Sequence, residues 1–417
     1  ANTPEGEYAP VDFYGGTLRG IADRLPYLQK LGVTVLYLNP IFESASNHRY
    51  DTGDYRKVDP ILGTNTDFRK LCAASGDCGI RIVLDGVFAH TGADSRYFNR
   101  FRHYPGCGAY NSTNSVYTHW YDFAHYPNDY RCWWNFRDLP AINTANPDWR
   151  KYMITGEHSV VKAWLRDGAS GWRLDVANEL DDGFLRAFRT AVKAAKPDAI
   201  IVGEVWENAA HYLNGDMMDS AMNYDFRRYC RRFFAEETVD AETFDTNVST
   251  LLLRYRENAL FAQLNLLDSH DVSRFLSLCG GDTASYRLAI LFMMCFVGMP
   301  TIFYGDELGV QGMQEEEYRA PMPWKGGDLA LLGFFRKAIA MRHALSPLRN
   351  GAFQMLSAEE GSRVICFRRY TGAESVTVAI NAGGTDAAIP QSEEKLYWAE
   401  GFQDGILSPG GFSVTYR

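Results

Sequence analysis

The chain of 417 residues, 46% hydrophobic and 14% aromatic, has apolar material for one large domain plus a small one. Its net charge of -9 argues against nucleic acid or an anionic membrane surface as the main partner. No apolar run reaches the length of a membrane span, and Ala1-Asn2-Thr3-Pro4-Glu5-Gly6-Glu7 carries neither a basic start nor an apolar core, so no signal peptide is visible and the cytoplasm is the expected compartment.

The first sixteen residues read as irregular. Thr17 to Leu31 has helical spacing (Leu18, Ile21, Leu25, Leu28, Leu31) closed by Gly32, and Val33 to Leu38 reads as a buried strand halted by Asn39-Pro40. A helix around Thr66–Gly76 leads to a second strand, Ile80 to Asp85. Residues 91–149 hold aromatics, Asn, Pro and Gly with little periodicity, too long a stretch for a simple connector, and read as a functional excursion. A helix near Tyr152–Arg166 precedes the strand opening at Gly171, in which Trp172, Leu174 and Val176 alternate with Arg173 and Asp175. Side chains repeat every two residues along a strand, so Arg173 and Asp175 share a face. Arg173 is then placed to hold Asp175 ionised, as a carboxylate nucleophile requires, although a structural ion pair has the same pattern.

A helix near Asp182–Lys196, a strand at Ala199–Glu204 and a weak strand at Ala221–Tyr224 follow. Helical segments fill much of 226–258, and strands at Phe261–Leu267 and Pro300–Tyr304 flank a helix at Tyr286–Val297. Strand–helix alternation with apolar strands is the pattern of a parallel α/β barrel or a doubly wound sheet. Strand ends carry Asp85, Asp175, Glu204, Asp268 to Asp271 and Asp306-Glu307, which converge on one face only in a barrel. From about Phe353 short alternating strands read as a small antiparallel β domain. The eight cysteines, at 72, 78, 107, 132, 230, 279, 295 and 366, show no metal-ligand pattern and are expected as reduced, mostly buried thiols; a Cys72–Cys78 bridge stays open.

Glycoside cleavage needs one carboxylate to attack or to activate water and another to protonate the leaving oxygen. Asp175 and Glu204 stand on successive strands, and Val202, Val205 and Trp206 give Glu204 apolar neighbours in sequence that would favour a protonated acid. Asp271 follows Ser269-His270. A strand-end ion pair is the plainer reading of any one of them. Three carboxylates with Arg173, His90 and His270 at barrel strand ends are harder to dismiss.

These residues also carry a resemblance. Asp85-Gly86-Val87-Phe88-Ala89-His90, Gly171 to Glu179, Gly203-Glu204-Val205-Trp206-Glu207 and Leu267-Asp268-Ser269-His270-Asp271 resemble, in order, the four signature stretches of glycoside hydrolase family 13, the α-amylase family. Asn47 to Tyr55 and Gly298 to Glu307 add two matches. Val176-Ala177-Asn178-Glu179, with Gly215-Asp216 and Met222-Asn223-Tyr224, is similar to the cyclomaltodextrinase, neopullulanase and maltogenic amylase branch.

The resemblance implies a (β/α)8 TIM barrel over 1–345 with a short domain B at 91–149, and a C-terminal antiparallel β-sandwich domain at 346–417. It implies Asp175 as nucleophile, Glu204 as acid and then base, and Asp271 as the group that binds the distorted sugar and stabilises the transition state. Arg173, His90 and His270 would position the nucleophile and the sugar, with Tyr50 stacked beneath the ring, Asp85 in support and Trp206 at a subsite. Trp120, Trp133 and Trp134 would be either outer sugar platforms or domain B packing. The implied outcome is retention, with the two carboxylates roughly 5–5.5 Å apart.

Three departures stand out. Ala89 replaces the asparagine that serves calcium in many relatives, so calcium is not carried over and no cofactor is expected. For the first barrel strand either Tyr8–Tyr14 serves or the sequence lacks an N-terminal part, and the branch's N-terminal β domain has no counterpart. Leu139-Pro140-Ala141-Ile142-Asn143 also stands where the branch has Met-Pro-Lys-Leu-Asn. The expected partner is an α-glucan: maltooligosaccharides, cyclodextrins or pullulan, cleaved at α-1,4 bonds, with α-1,6 bonds as a second option. A transglycosylase, an α-1,6-glucosidase and a silent glycan-binding protein are the alternatives; oligomeric state stays open.

Overall fold

The computed structural model describes residues 13–390 and 394–417. They form two compact units: the residues up to Val205 with His211–Ser220, and Trp206–Ala210 with Ala221–Arg417.

In the first unit the opening helix runs Leu18–Leu31. Thr17 caps it by accepting from the Gly20 amide at 2.9 Å, and Gly32 ends it at φ 96°, a left-handed turn that glycine takes without steric cost. Four parallel strands follow: β1 (Val35–Leu38), β2 (Arg81–Gly86), β3 (Gly171–Leu174) and β4 (Ile200–Gly203), each paired with the next. The register sets Asp85 of β2 directly beside Arg173 of β3. Gly203 is required at the end of β4, where a Cβ would meet the Met218 sulfur at 2.2 Å and the Ala177 methyl at 3.2 Å. The helix between β2 and its predecessor, Asn65–Asp77, begins with a capping box of Thr64 and Asp67.

Residues 91–149 hold short turns, a two-stranded ladder of Phe123–His125 with Asp129–Tyr130, and a knot of aromatic rings. Trp120 is buried among Tyr97, Tyr117, Trp149 and Tyr152, with ring centroids 4.8 to 5.5 Å away. It is therefore core packing, not a sugar platform. The single helix expected at Tyr152–Arg166 is two pieces. A wide turn at Lys151–Thr155 closes with the Gly156 amide donating to the Lys151 carbonyl at 2.9 Å, and Val160–Arg166 starts afresh. A Cβ on Gly156 would lie 2.6 Å from that carbonyl oxygen.

The second unit contains strands β5 (Ser220–Asn223, from Ala221 on), β6 (Leu264–Leu266) and β7 (Met299–Thr301), parallel and paired in order. Around them pack the helices Ala241–Arg254, Thr283–Cys295 and Leu329–Ala344. Seven parallel strands are thus present among the described residues. Most of Tyr8–Tyr14, the candidate for an eighth, lies outside them.

The C-terminal strands are β8 (Ala352–Ala358), β9 (Val364–Tyr370), β10 (Ser375–Asn381), β11 (Ala387–Ala388), β12 (Lys395–Gln403) and β13 (Ile406–Tyr416). They form one antiparallel path, in which the long β13 pairs β10 through 412–416, β11 through 406–407, and β12. Arg369 of β9 is wholly buried and donates to the carbonyls of Gly351 and Cys295, both at 2.7 Å, which ties this domain to the end of helix Thr283–Cys295. All eight cysteines are free thiols; three are buried (Cys230, Cys295, Cys366), Cys107 is exposed and the others are half-buried. A Cys72–Cys78 bridge is not formed, and the thiols are less buried than the sequence suggested.

Candidate active site

The register that aligns β2 with β3 brings three carboxyl groups onto one guanidinium. Arg173 is 1% exposed. Its Nη1 donates to Asp85 Oδ1 and Oδ2 at 3.0 and 3.1 Å and to Asp175 Oδ1 at 2.8 Å, while its Nη2 lies 3.0 Å from Glu204 Oε2. All three carboxyls are buried. One planar fork thereby fixes the spacing of Asp175 and Glu204.

Beyond Asp175 the chain turns sharply. Val176 has φ 39° and ψ 51°, a left-handed conformation unfavourable for a β-branched residue. The turn aims its amide at Glu204 Oε2, 2.9 Å away. Glu204 therefore sits on polar partners, not in the apolar setting that its sequence neighbours suggested.

Burial pushes the Asp175 carboxyl well above the ordinary range; Arg173 pulls it down, and the charges of Asp85 and Glu204 push it further up. Asp85 is raised by burial too, opposed by Arg173 and by the hydroxyls of Tyr37 and Tyr50. Arg173 acting on Asp175 is thus one influence among several.

Tyr37 and Tyr50 both donate to Asp85 Oδ2, at 2.5 and 3.0 Å. Tyr37 was not expected from sequence, where it reads only as part of a buried strand. His90 Nε2 lies 3.0 Å from the Tyr50 carbonyl oxygen, and burial lowers its pKa to about 4, so the ring is neutral near pH 7. Its ring is 5.4 Å from that of Trp133.

Trp133 and Trp134 stack with centroids 5.0 Å apart, and each indole N–H donates to a different oxygen of Glu179, at 2.8 and 2.9 Å. Trp134 is 69% exposed, and its backbone (φ 45°) and that of Asn135 (φ 66°) are left-handed. Glu179 thus has a use that its place in the quoted motif did not disclose.

The remaining expected residues lie in the second unit. His270 Nε2 is 3.1 Å from Asp271 Oδ2, Arg319 Nη2 is 3.3 Å from Asp271 Oδ1, and Arg319 Nε donates to the His270 carbonyl at 2.7 Å. Trp206, half-exposed, stacks on Tyr224 with centroids 4.0 Å apart and planes 6° from parallel. At Ala89 the side chain carries no oxygen that could ligate a cation, and its carbonyl oxygen accepts from the Ile142 amide at 2.9 Å.

Comparison with known proteins identifies the family. The family model "Alpha amylase, catalytic domain" matches residues 2–334. Neopullulanase 2 of Thermoactinomyces vulgaris is 41% identical over 398 residues, 92% of this chain and 66% of that protein, so the chain spans about two thirds of that relative's length. A solved cyclomaltodextrinase superposes with a TM-score of 0.87 at 33% identity, over 99% of this chain and 75% of that one. The cyclic alpha-maltosyl-(1→6)-maltose hydrolase of Arthrobacter globiformis gives 0.89 at 31% identity, over 100% and 93%. The fold is the (β/α)8 barrel with a C-terminal antiparallel sheet domain that the sequence suggested. No described helix is long and apolar enough to cross a membrane.

Proposed function

The chain belongs to the α-amylase family of glycoside hydrolases, and from that premise we propose that it is a retaining hydrolase of α-1,4 and α-1,6 glucosidic bonds in maltooligosaccharides, cyclodextrins or pullulan. The observation that carries this reading is the Arg173 fork, which sets Asp175 and Glu204 on its two nitrogens at 2.8 and 3.0 Å.

In this reading Glu204 is the acid. Asp175 attacks the anomeric carbon as Glu204 passes its proton to the departing glycosidic oxygen; the C–O bond breaks and a glycosyl ester forms on Asp175. Glu204, now a carboxylate, takes a proton from water, whose oxygen displaces Asp175. Two inversions give net retention. Tyr50 and His90 contact the reacting ring; Asp271 and His270 keep the role that the family resemblance implies for them. No metal enters any step.

The test is incubation with β-cyclodextrin, pullulan, starch and maltotriose, with the product anomer read by NMR at short times. Release of α-anomeric sugar from any of them is expected. A folded protein inert on all four, or β-anomeric product, overturns the assignment. Longer oligosaccharide products at high substrate concentration mark transglycosylation.

The exposed face of Trp134 is read as an outer sugar platform, since Glu179 holds both indoles edge-on in a strained loop. Trp134→Ala should lower kcat/KM on maltoheptaose roughly fivefold, the equivalent of about 1 kcal/mol of stacking. Maltotriose, too short to reach it, should be cleaved as before. Equal losses on both substrates would assign Trp134 to domain packing.

A further inference from the structure

The loop that follows β6 turns tightly. Ser269 and Val272 face each other as a bridge, and the Ser269 hydroxyl accepts from the Asp271 amide at 3.2 Å. His270 and Asp271 stand at its apex, where Arg319 reaches both. A different cation holds its base. Arg227, on the helix Tyr224–Cys230, donates through Nε to the Leu267 carbonyl at 2.7 Å and through Nη2 to the Ser273 carbonyl at 3.1 Å. These carbonyls lie on either side of the loop, so one guanidinium closes it.

The helix that carries Arg227 is itself registered on β6. Its cap, Asn223, accepts from the Phe226 amide at 3.1 Å and donates to Asn265 Oδ1 at 2.9 Å. Tyr224, one turn before Arg227 and on the same face, has its hydroxyl 3.4 Å from that of Ser269. Arg227 is buried, burial lowers its guanidinium from the ordinary arginine range, and among the described residues it pairs with no carboxylate. Arg228 beside it is exposed and pairs with Asp225 at 2.6 Å. A buried cation without a carboxylate is costly. Its donors go to carbonyls that an apolar side chain would leave unpaired.

We infer that Arg227 is a positioning residue: by closing the base of the 267–273 loop it sets where the Asp271 carboxyl meets the sugar. This rests on the reading of Asp271 as the group that steadies the distorted ring. Arg227→Gln removes the charge and the paired donors. On the α-glucan that the wild type cleaves fastest, kcat should fall about a hundredfold, the cost of a small misplacement. KM should change little, because Asp271 acts on the distorted ring. In an Asp271→Asn background the same substitution should cost no more than about twofold, since the group it positions is already gone.

A second readout needs no turnover. Amide hydrogen exchange over 267–273, read by mass spectrometry, should quicken about tenfold in Arg227→Gln, the worth of a bond to a charged group. Strand β9 should keep its protection. Arg227→Lys, which keeps the charge on a single donor group, should fall between wild type and Arg227→Gln in both readouts. It carries the same cycle should the glutamine variant fail to fold.

Losses that multiply across the two substitutions overturn the inference, as does unchanged exchange over 267–273. Loss of protection that extends to β9 overturns it too, since Arg227 would then act on the fold at large. A wild type inert on α-glucans, or an Asp271→Asn variant as active as wild type, with exchange quickened only over the loop, leaves the clamp standing. It removes the hydrolase reading or the reading of Asp271 alone.

Discussion

Asp175→Asn should abolish α-glucan turnover, on the order of 10⁵-fold or more, because an amide cannot form the glycosyl ester and nothing else in the cluster replaces it. Glu204→Gln should be milder, a loss of about 10²–10⁴-fold, the worth of general acid–base assistance. The two separate on a substrate whose leaving group needs no proton. With a dinitrophenyl α-maltoside, Glu204→Gln should regain a rapid first release of phenol, followed by slow hydrolysis of the ester, and Asp175→Asn should regain nothing. Burst kinetics measure both. If the activated substrate rescues Asp175→Asn instead, the two roles are exchanged. Stability should move opposite to activity. Burial raises the folded Asp175 carboxyl above its unfolded value, so its cost to folding grows as pH rises from the ordinary carboxylate range. The amide escapes that cost, and Asp175→Asn should melt higher than wild type, more so at pH 8 than at pH 5.

The reach of the sequence follows from how local each feature is. Thr17 and Gly32 bound their helix through contacts within a few residues, so both ends were legible. So was the strand bearing Arg173 and Asp175, whose pairing depends on the two-residue repeat alone. The identity of Arg173's partners was half-visible: Asp175 lies two positions away, but Asp85 arrives from 88 positions away by strand register. The setting of Glu204 is hidden for the same reason. Its chain neighbours are apolar, but its carboxyl points back to the Val176 amide, 28 positions earlier. Glu179 and Tyr37 carried no signal of use, since an indole pair 45 and 46 positions away and a carboxyl 48 positions away decide their roles. Gly156 could have been read as a helix break, and the apolar spacing on either side concealed it.

Arg173→Met is expected to cost about 3–5 kcal/mol near neutral pH, the penalty for removing one partner of a buried ion pair and leaving the other uncompensated. Here the removal strands three carboxyls at once. The cost should depend on pH in a set direction. Asp85 and Asp175 are already raised in the folded protein, and losing the cation that opposes this raises them further. The native state then binds more protons than the unfolded chain from the ordinary carboxylate range upward, so stability falls as pH climbs through that window and is best retained below it. Urea unfolding at pH 5 and pH 8 measures this, and the gap between wild type and variant should be wider at pH 8. A gap independent of pH would mean that Arg173 acts through packing alone. Arg173→Lys separates charge from geometry. An ammonium group neutralises the cluster, yet it is a point charge and cannot place donors at 2.8 Å from Asp175 and 3.0 Å from Glu204 in one plane. The lysine variant should recover most of the stability, including its pH dependence, and little of the turnover.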